Sequence, residues 1–491
     1  MYTKRMSIQH FFTSRRLFWW LFVFIAINWL GYAIIEYLSC GFATWDTGAH
    51  IQPVIHWALY GEYADKLLLV NHPFLNHFRP ALLLLAPIVN IFPTMLVIHI
   101  AKIMAFLLVP LQFLHYGKKY KLKLWAYALP ILWLLHDVLM TVMFAENQAT
   151  TLTLPLIVWA FFCAYEKKYR TMLIPCVAMI FFKEIMPIIW VCLGLFIWVE
   201  QRQTRWAVGL ICAGIIVGLT IYLGVIPWFG QGQANHQQEG LAPLDFLGLK
   251  LGMLIRAYLS MGFFVIVWPR VLIYTLPLYS VYLLGGYGVY RAFFLGSHNH
   301  DFTTTFLFCC GFYVLKQTLE GKSLFNPQLK WQRQLVKTVV VILCIIGVSK
   351  LPIIRVLTEP GKIVAGYHTA NAAKQLRAQL NPQFKLFVTP ALLDYFIDFR
   401  HIRSLDNKHY KTILTQDGPF YIIMPSDSRL YKMRKDVVQE YKSIITQHAQ
   451  QQWCSVTTVQ QHADYSVVLA KYTQGVPMAE KKRLATLFAR F

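Results

Sequence analysis

Long apolar runs separated by short polar stretches dominate the first 355 residues, and this pattern predicts membrane-spanning helices. The first run, Leu17 to Ile35, has about the length needed to cross a bilayer core of roughly 30 Å. Basic residues precede it and no small-residue cleavage pattern follows, so we expect an uncleaved anchor. Similar runs predict spans near residues 17–38, 94–116, 122–141, 150–165, 205–226, 250–268, 271–288, 303–319 and 337–354.

One apolar stretch is too short for the topology that surrounds it. Residues 171–199 lie between basic flanks, but two full crossings need roughly 40 residues. We therefore expect two short helices whose tip, with Lys183 and Glu184, stops inside the membrane or at the far interface. With these two segments the count is about eleven spans, and the basic loops put the N-terminus in the cytoplasm and the C-terminus outside.

The pattern changes after about Val356, where short apolar runs alternate with helical stretches. The runs KLFVTPALLDYF, PFYIIMPS and YSVVLAKY predict strands, and TANAAKQLRAQL predicts a helix. The predicted fold is an all-α polytopic membrane domain, residues 1–355, with a long first outer loop. A small extracytoplasmic α/β domain, residues 356–491, follows it.

Composition agrees with a membrane protein. The chain is 57% hydrophobic and only 14% charged, unlike a soluble globular chain. The net charge of +23 lies largely in short loops, so topology explains it and we expect no nucleic-acid partner. Most of the nine cysteines fall in apolar segments, so no disulfide framework is expected.

Polar residues gather on the predicted outer side. Asp46 follows the first span and precedes an apolar-periodic run, as a helix N-cap would, although capping does not exclude a chemical role. Taken singly, such residues usually cap helices or face headgroups, and Lys183 with Glu184 could simply pair. Together they predict a site for a charged amphipathic substrate, whose other candidate residues are His50, His77, Arg79, Glu146, His298 and His300.

The order of these motifs carries a family resemblance. An aromatic-Asp-x-Gly motif after the first span, NHFRPALLLLAPI at 76–88, a glutamate near the third span and FKE at 182–184 follow in sequence. This order resembles a group of uncharacterised bacterial membrane proteins. That group is similar to the GT-C superfamily of glycosyltransferases, which use polyprenyl-phosphate sugars.

The resemblance implies transfer of sugar from a polyprenyl-phosphate donor on the outer face of the bacterial cytoplasmic membrane. It makes Asp46 the catalytic acidic residue, acting as a base or holding a divalent metal ion. A single carboxylate that acts as base would make the transfer a direct displacement with inversion at the anomeric carbon. Arg79, Lys183 and the histidines would bind the phosphate, and Glu184 would orient Lys183 or contact sugar hydroxyls. Around Glu146 this chain has Ala-Glu-Asn where the family often has His-Pro-Glu, which weakens that assignment.

Two other functions fit the same pattern. Polar residues within a membrane also mark transport pathways, so a transporter or flippase of an anionic lipid-linked substrate is the main alternative. A scaffold that recruits envelope enzymes is the second, but it leaves Lys183 and Glu184 unexplained. Beyond the lipid bilayer and the donor, the expected partner is an acceptor that is a glycan, a lipid or a protein.

Overall fold

The structure is a computed structural model. It describes residues 15–39, 45–64, 67, 72–75, 77–123, 125–144, 149–229, 247–260, 267–280, 283, 300–322, 338, 342–404, 419–425, 435–462, 465–472 and 476–488. The chain divides into two compact units. The helical unit comprises residues 1–30, 74–81 and 101–354, and the mixed unit comprises residues 31–73, 82–100 and 355–491.

Apolar helices dominate the first two thirds of the chain. Within the described ranges, 4 helical segments are long and apolar enough to cross a membrane, namely Arg15–Leu38, Leu96–Lys119, Trp125–Phe144 and Thr204–Phe229. Shorter apolar helices cover Pro80–Ile91, Ala149–Tyr165, Tyr169–Ile180 and Pro187–Gln201. Further helices of the helical unit are Leu247–Ser260, Val271–Thr275 and His300–Leu319. A polytopic membrane fold is confirmed, whereas the number of eleven spans stays a prediction.

Residues 169–201 form the expected pair of short helices, which we call the half-length hairpin. Its helices are Tyr169–Ile180 and Pro187–Gln201, and residues 181–186 form its tip. Pro187, the first residue of the second helix, has its φ fixed near the helical value. It has no N–H group that would need a hydrogen-bond acceptor at this position. At Gly194 a Cβ would lie 2.9 Å from the carbonyl oxygen of Ala207. Close backbone approach through glycine therefore packs the hairpin against the helix Thr204–Leu219.

The C-terminal residues build a five-stranded mixed sheet. Its strands are β1 Lys385–Val388, β2 Ile402–Ser404, β3 Phe420–Pro425, β4 Cys454–His462 and β5 Tyr465–Tyr472, in the order β2-β1-β3-β5-β4. β1 pairs parallel with β2 and β3, and β5 pairs antiparallel with β3 and β4. The flanking helices are Pro360–Arg377, Lys435–Gln450 and Met478–Phe488.

The structure of this region differs from the sequence-based prediction at one 3₁₀ helix and two strands. The run PALLDY was predicted as part of a strand, but Pro390–Tyr395 is a 3₁₀ helix. Pro390 has its φ preset for the first turn of a helix and no N–H to donate to a sheet. Strands β2 and β4 were not predicted, although the small C-terminal sheet domain itself is confirmed.

Within the mixed unit, the segment after the helix Arg15–Leu38 packs on the C-terminal residues. The helix Trp45–Tyr60 brings His56 Nε2 to 3.1 Å from the carbonyl oxygen of Ile397. Arg400 forms an ion pair with Glu62, with 2.5 Å between nitrogen and oxygen. The segment after the first span and the C-terminal segment therefore form one folded body.

Asp394 ties the same body to the start of the helix Leu96–Lys119. Its Oδ1 accepts the backbone N–H of Met95 at 2.6 Å, and the Thr94 hydroxyl donates at 3.3 Å. A helix N-terminus has N–H groups without partners inside the helix, and a carboxylate there also interacts favourably with the helix dipole. Burial nevertheless raises the pKa of Asp394 to about 6, against the lowering effect of these hydrogen bonds.

This raised pKa gives a prediction for the pH dependence of stability. The folded state binds the Asp394 proton more tightly than the unfolded state does. The protonated carboxyl therefore contributes to the free energy of unfolding, and this contribution is fully present below about pH 4. It is lost as the pH rises through about 6, by on the order of 2–3 kcal/mol. Asp394→Asn cannot titrate, so we expect its thermal midpoint in detergent to gain on the wild type between pH 4 and 7. Parallel curves for the two proteins would contradict the assignment.

Candidate functional site

Glu184 joins the tip of the half-length hairpin to residues 77–81. Its Oε1 lies 2.8 Å from Nδ1 of His77, and its Oε2 accepts the backbone N–H of Phe78 at 3.1 Å. The side chains of His77 and Glu184 are 21% and 12% exposed. Both carboxylate oxygens are therefore engaged by a segment 107 residues earlier in the chain, which holds the carboxylate in one orientation.

A backbone hydrogen bond reinforces this junction. Ala81 N–H donates to the carbonyl oxygen of Phe181 at 2.9 Å. Pro80, which begins a 3₁₀ helix, disfavours a helical conformation at the residue before it. Residues 77–79 consequently adopt no helix, and their backbone is available to the hairpin tip.

The Glu184 contact sets the chemistry of the His77 ring. If the imidazole is neutral, its proton lies on Nδ1 and is donated to the carboxylate, so Nε2 is the acceptor. If it is protonated, both nitrogens donate and the carboxylate stabilises the positive charge. In both cases Nδ1 of His77 is committed to the Glu184 carboxylate.

Two cationic side chains accompany the His77–Glu184 pair. Arg79 is 2% exposed and lies in the segment that Glu184 contacts, while Lys183 is 7% exposed and precedes Glu184. Its charge acts on the carboxylates of both Glu184 and Asp301. Buried cations are costly unless anionic groups or hydrogen bonds compensate them. The junction therefore combines two buried cations with the carboxylate of Glu184.

Asp301 forms the second carboxylate of this region. Its Oδ2 accepts the hydroxyl hydrogens of Thr150 at 2.9 Å and Thr151 at 2.7 Å, and its Oδ1 accepts the N–H of Phe302 at 2.7 Å. Asp301 lies in the first turn of the helix His300–Leu319 and is 1% exposed. The threonines were not predicted as site residues. Their signal in the sequence was the polar run ATTLT just before an apolar helix.

The remaining predicted residues are distributed over both units. Asp46 lies in the first described turn of the helix Trp45–Tyr60, and its role as an N-cap stays a prediction. The side chain of Asp46 lies outside the described part of the structure, as do Glu146 and His298. His50 is buried in the mixed unit, and His300 is buried at the start of its helix in the helical unit. A cavity shared by Asp46 and Lys183 stays a prediction.

A buried lysine that was not predicted lies at the end of the helix Asp137–Phe144. Lys102 is 2% exposed, and its Nζ donates to the carbonyl oxygens of Val142 at 3.0 Å and Met143 at 3.2 Å. These carbonyls belong to the last turn of the helix Asp137–Phe144, where a cation is favoured by the helix dipole. Lys102 therefore fixes the end of the helix Asp137–Phe144.

No ready-made metal cluster is found in the described ranges. There, no group of three or more histidine, cysteine, aspartate or glutamate side chains could hold a metal ion. A divalent ion at Asp46 stays an expectation from the sequence.

These features define a polytopic helical membrane protein with a small mixed sheet domain. A family model described as "Predicted membrane protein (DUF2079)" matches residues 39–243. The solved structure of ArnT from Cupriavidus metallidurans bound to undecaprenyl phosphate is similar in fold, with a TM-score of 0.50 and 12% sequence identity. The match covers 93% of this chain and 98% of that chain. No curated protein matches.

The two matches agree with the predicted resemblance, in family for residues 39–243 and in fold for most of the chain. At 12% identity, the likeness to ArnT shows the fold alone. The roles of individual residues in this chain therefore rest on its own geometry.

The junction at Glu184 yields a stability prediction. Glu184→Ala leaves Phe78 N–H and His77 Nδ1 without their acceptor, and each unsatisfied buried group costs about 1–3 kcal/mol. Glu184→Gln keeps an oxygen acceptor, so we expect a smaller loss. The thermal midpoint in detergent should be lowest for Glu184→Ala and intermediate for Glu184→Gln. As a control, Glu320→Ala removes an exposed ion-pair partner, and its midpoint should stay close to that of the wild type. Equal midpoints for all three variants would show that the junction adds no stability.

Proposed function

We propose that the protein is an inverting membrane glycosyltransferase. It transfers a sugar from a polyprenyl-phosphate donor to a cell-envelope acceptor on the outer face of the cytoplasmic membrane. The GT-C-like fold supports the class of protein, and ArnT in the matched structure is bound to undecaprenyl phosphate. The observation that carries the proposal is the junction of His77 and Glu184 with the buried cations Arg79 and Lys183.

This junction suits a lipid-linked phosphate. Arg79 can bind phosphate oxygens through two N–H groups, and Lys183 adds a point charge. In a site with little water these charges stabilise the negative charge that develops on the leaving phosphate. The negative charge of Glu184 interacts with Lys183, and that of Asp301 does so to a smaller extent.

The proposed reaction is a single displacement. Asp46 takes the proton of the acceptor hydroxyl, and the acceptor oxygen forms a bond to the anomeric carbon. The bond between that carbon and the phosphate oxygen breaks, and its electron pair leaves with the lipid phosphate. Displacement at the opposite face inverts the anomeric configuration, since no covalent sugar intermediate forms.

Contacts within the mixed unit support the proposed orientation. His56 and Glu62 follow the first span, and both contact C-terminal residues. If the helix Arg15–Leu38 crosses the membrane, the C-terminal domain lies on the side opposite to the basic residues that start this helix. An extracytoplasmic C-terminal domain in a multi-pass inner-membrane protein is consistent with these contacts.

The assignment of Asp46 is tested by mass spectrometry of envelope glycans. We expect cells that produce Asp46→Asn to lack the glycosylated product found with the wild type, because the acceptor hydroxyl loses its base. The variant protein should be made in equal amounts and keep its thermal midpoint. Glu62→Gln, a carboxylate change in the same loop, should retain the product.

Product formation by Asp46→Asn at the wild-type level would refute the catalytic role of Asp46. Identical envelope glycans in cells with and without the protein would refute the glycosyltransferase assignment as a whole. A transporter of the same donor would instead tolerate Asp46→Asn.

The role of Lys183 is tested by two substitutions. Lys183→Gln removes the charge, and we expect kcat/KM for the donor to fall by about 10²-fold, the effect of losing one electrostatic stabiliser of the transition state. Lys183→Arg keeps a cation and should retain more activity. Equal losses in the two variants would point to a packing role and contradict phosphate binding.

A further inference from the structure

A cavity lies at the basic ends of two candidate spans, and it shares no lining residue with the proposed phosphate site. Its volume is about 540 Å³, within the range of roughly 300–1,000 Å³ typical of small-molecule sites. The lining residues are Trp19, Leu111, Leu114, His115, Lys118 and Lys119.

The lining is graded from apolar to cationic along one helix face. Leu111, Leu114, His115 and Lys118 follow the three- and four-residue spacing that puts side chains on one face of a helix. Trp19 contributes from the helix Arg15–Leu38. The cavity therefore has an apolar wall that ends in basic side chains, which is the polarity profile of a membrane interface.

The basic end carries a surplus of positive charge. Glu166 accepts from Lys119 and, at 2.6 Å, from both Lys168 and the Tyr120 hydroxyl. One carboxylate thus holds two ammonium groups. Lys118 lies 5.6 Å from the ring centre of Tyr127 and adds a further charge. The surplus favours an anionic ligand at this end.

We propose that this cavity binds an anionic phospholipid. The phosphate lies against Lys118 and Lys119, and an acyl chain lies along Leu111, Leu114 and Trp19. The lining offers a partner to each part of such a lipid. Clusters of basic residues at the ends of spans bind anionic headgroups, and apolar walls bind acyl chains. The site is independent of the proposed glycosyl transfer.

Native mass spectrometry of the purified full chain tests the proposal with dioleoyl-phosphatidylglycerol and dioleoyl-phosphatidylcholine as probes. We expect the wild type to bind the anionic lipid more tightly. Lys118→Gln should weaken its binding about fivefold, as expected for one charge near a lipid surface. Arg170→Gln, which removes an exposed charge from the neighbouring basic turn, should leave binding unchanged.

A second variant tests the shape of the cavity. Leu111→Trp fills the apolar wall and should weaken binding of the anionic lipid while all charges remain. The thermal midpoint of Leu111→Trp without lipid shows whether this variant folds. If the variant does not fold, the comparison of Lys118→Gln with Arg170→Gln tests the proposal instead.

Three results would overturn the proposal. Equal binding of the two lipids would remove the headgroup preference. Equal weakening by Lys118→Gln and Arg170→Gln would indicate general surface charge. Displacement of the bound lipid by glycerol phosphate at the same concentration would indicate a site for the anion without the chain.

Discussion

The helical unit depends on the contact between Glu184 and residues 77–81. A hairpin too short to cross the membrane twice ends in a polar tip, and a polar tip in an apolar environment needs partners. His77 and Phe78 N–H supply them at 2.8 and 3.1 Å, and the Ala81 N–H bond to Phe181 adds a backbone tie. The same contact that satisfies the tip also brings Arg79 and Lys183 into one region of the molecule.

A buried ion pair is not by itself a strong stabiliser, because desolvation offsets much of its attraction. Here the carboxylate uses both oxygens, and Lys183 interacts with Asp301 as well as Glu184. Asp301 in turn is held by Thr150 and Thr151. Such a network specifies one arrangement of charges, which is what recognition of a phosphate requires.

The mixed unit shows a second constraint, between segments distant in sequence. Asp394 accepts the N–H of Met95, and Ile397 lies against His56. The C-terminal domain is therefore built together with the segment that follows the helix Arg15–Leu38. An isolated C-terminal fragment would lack these partners.

Local patterns predicted much of this fold. Hydropathy and length predicted the first span and the half-length hairpin, because both follow from counting apolar residues against membrane thickness. β1, β3 and β5 contain short apolar runs and were predicted as well.

The errors arise where the chain's local signal is weak or ambiguous. β2 has only three residues. In β4, every residue from Thr457 to His462 is polar apart from Val459, so this strand lacks an apolar run. In Pro390–Tyr395 an apolar run resembled a strand, although its proline favours the start of a helix.

The site was predicted in part, for a physical reason. Lys183 and Glu184 attract notice because charge is rare within apolar segments. The bond from Glu184 to His77 joins residues 107 apart, and no local periodicity reports such a pairing. Thr150 and Thr151 look like ordinary helix-start residues until Asp301 is placed beside them.

An experimental structure of the protein with a polyprenyl phosphate bound tests the central claim most directly. We expect the phosphate to lie within about 3 Å of the side-chain nitrogens of Arg79 or Lys183, with the hydrogen bond between His77 and Glu184 intact. A phosphate bound elsewhere, with Arg79 and Lys183 contacting only protein, would contradict it.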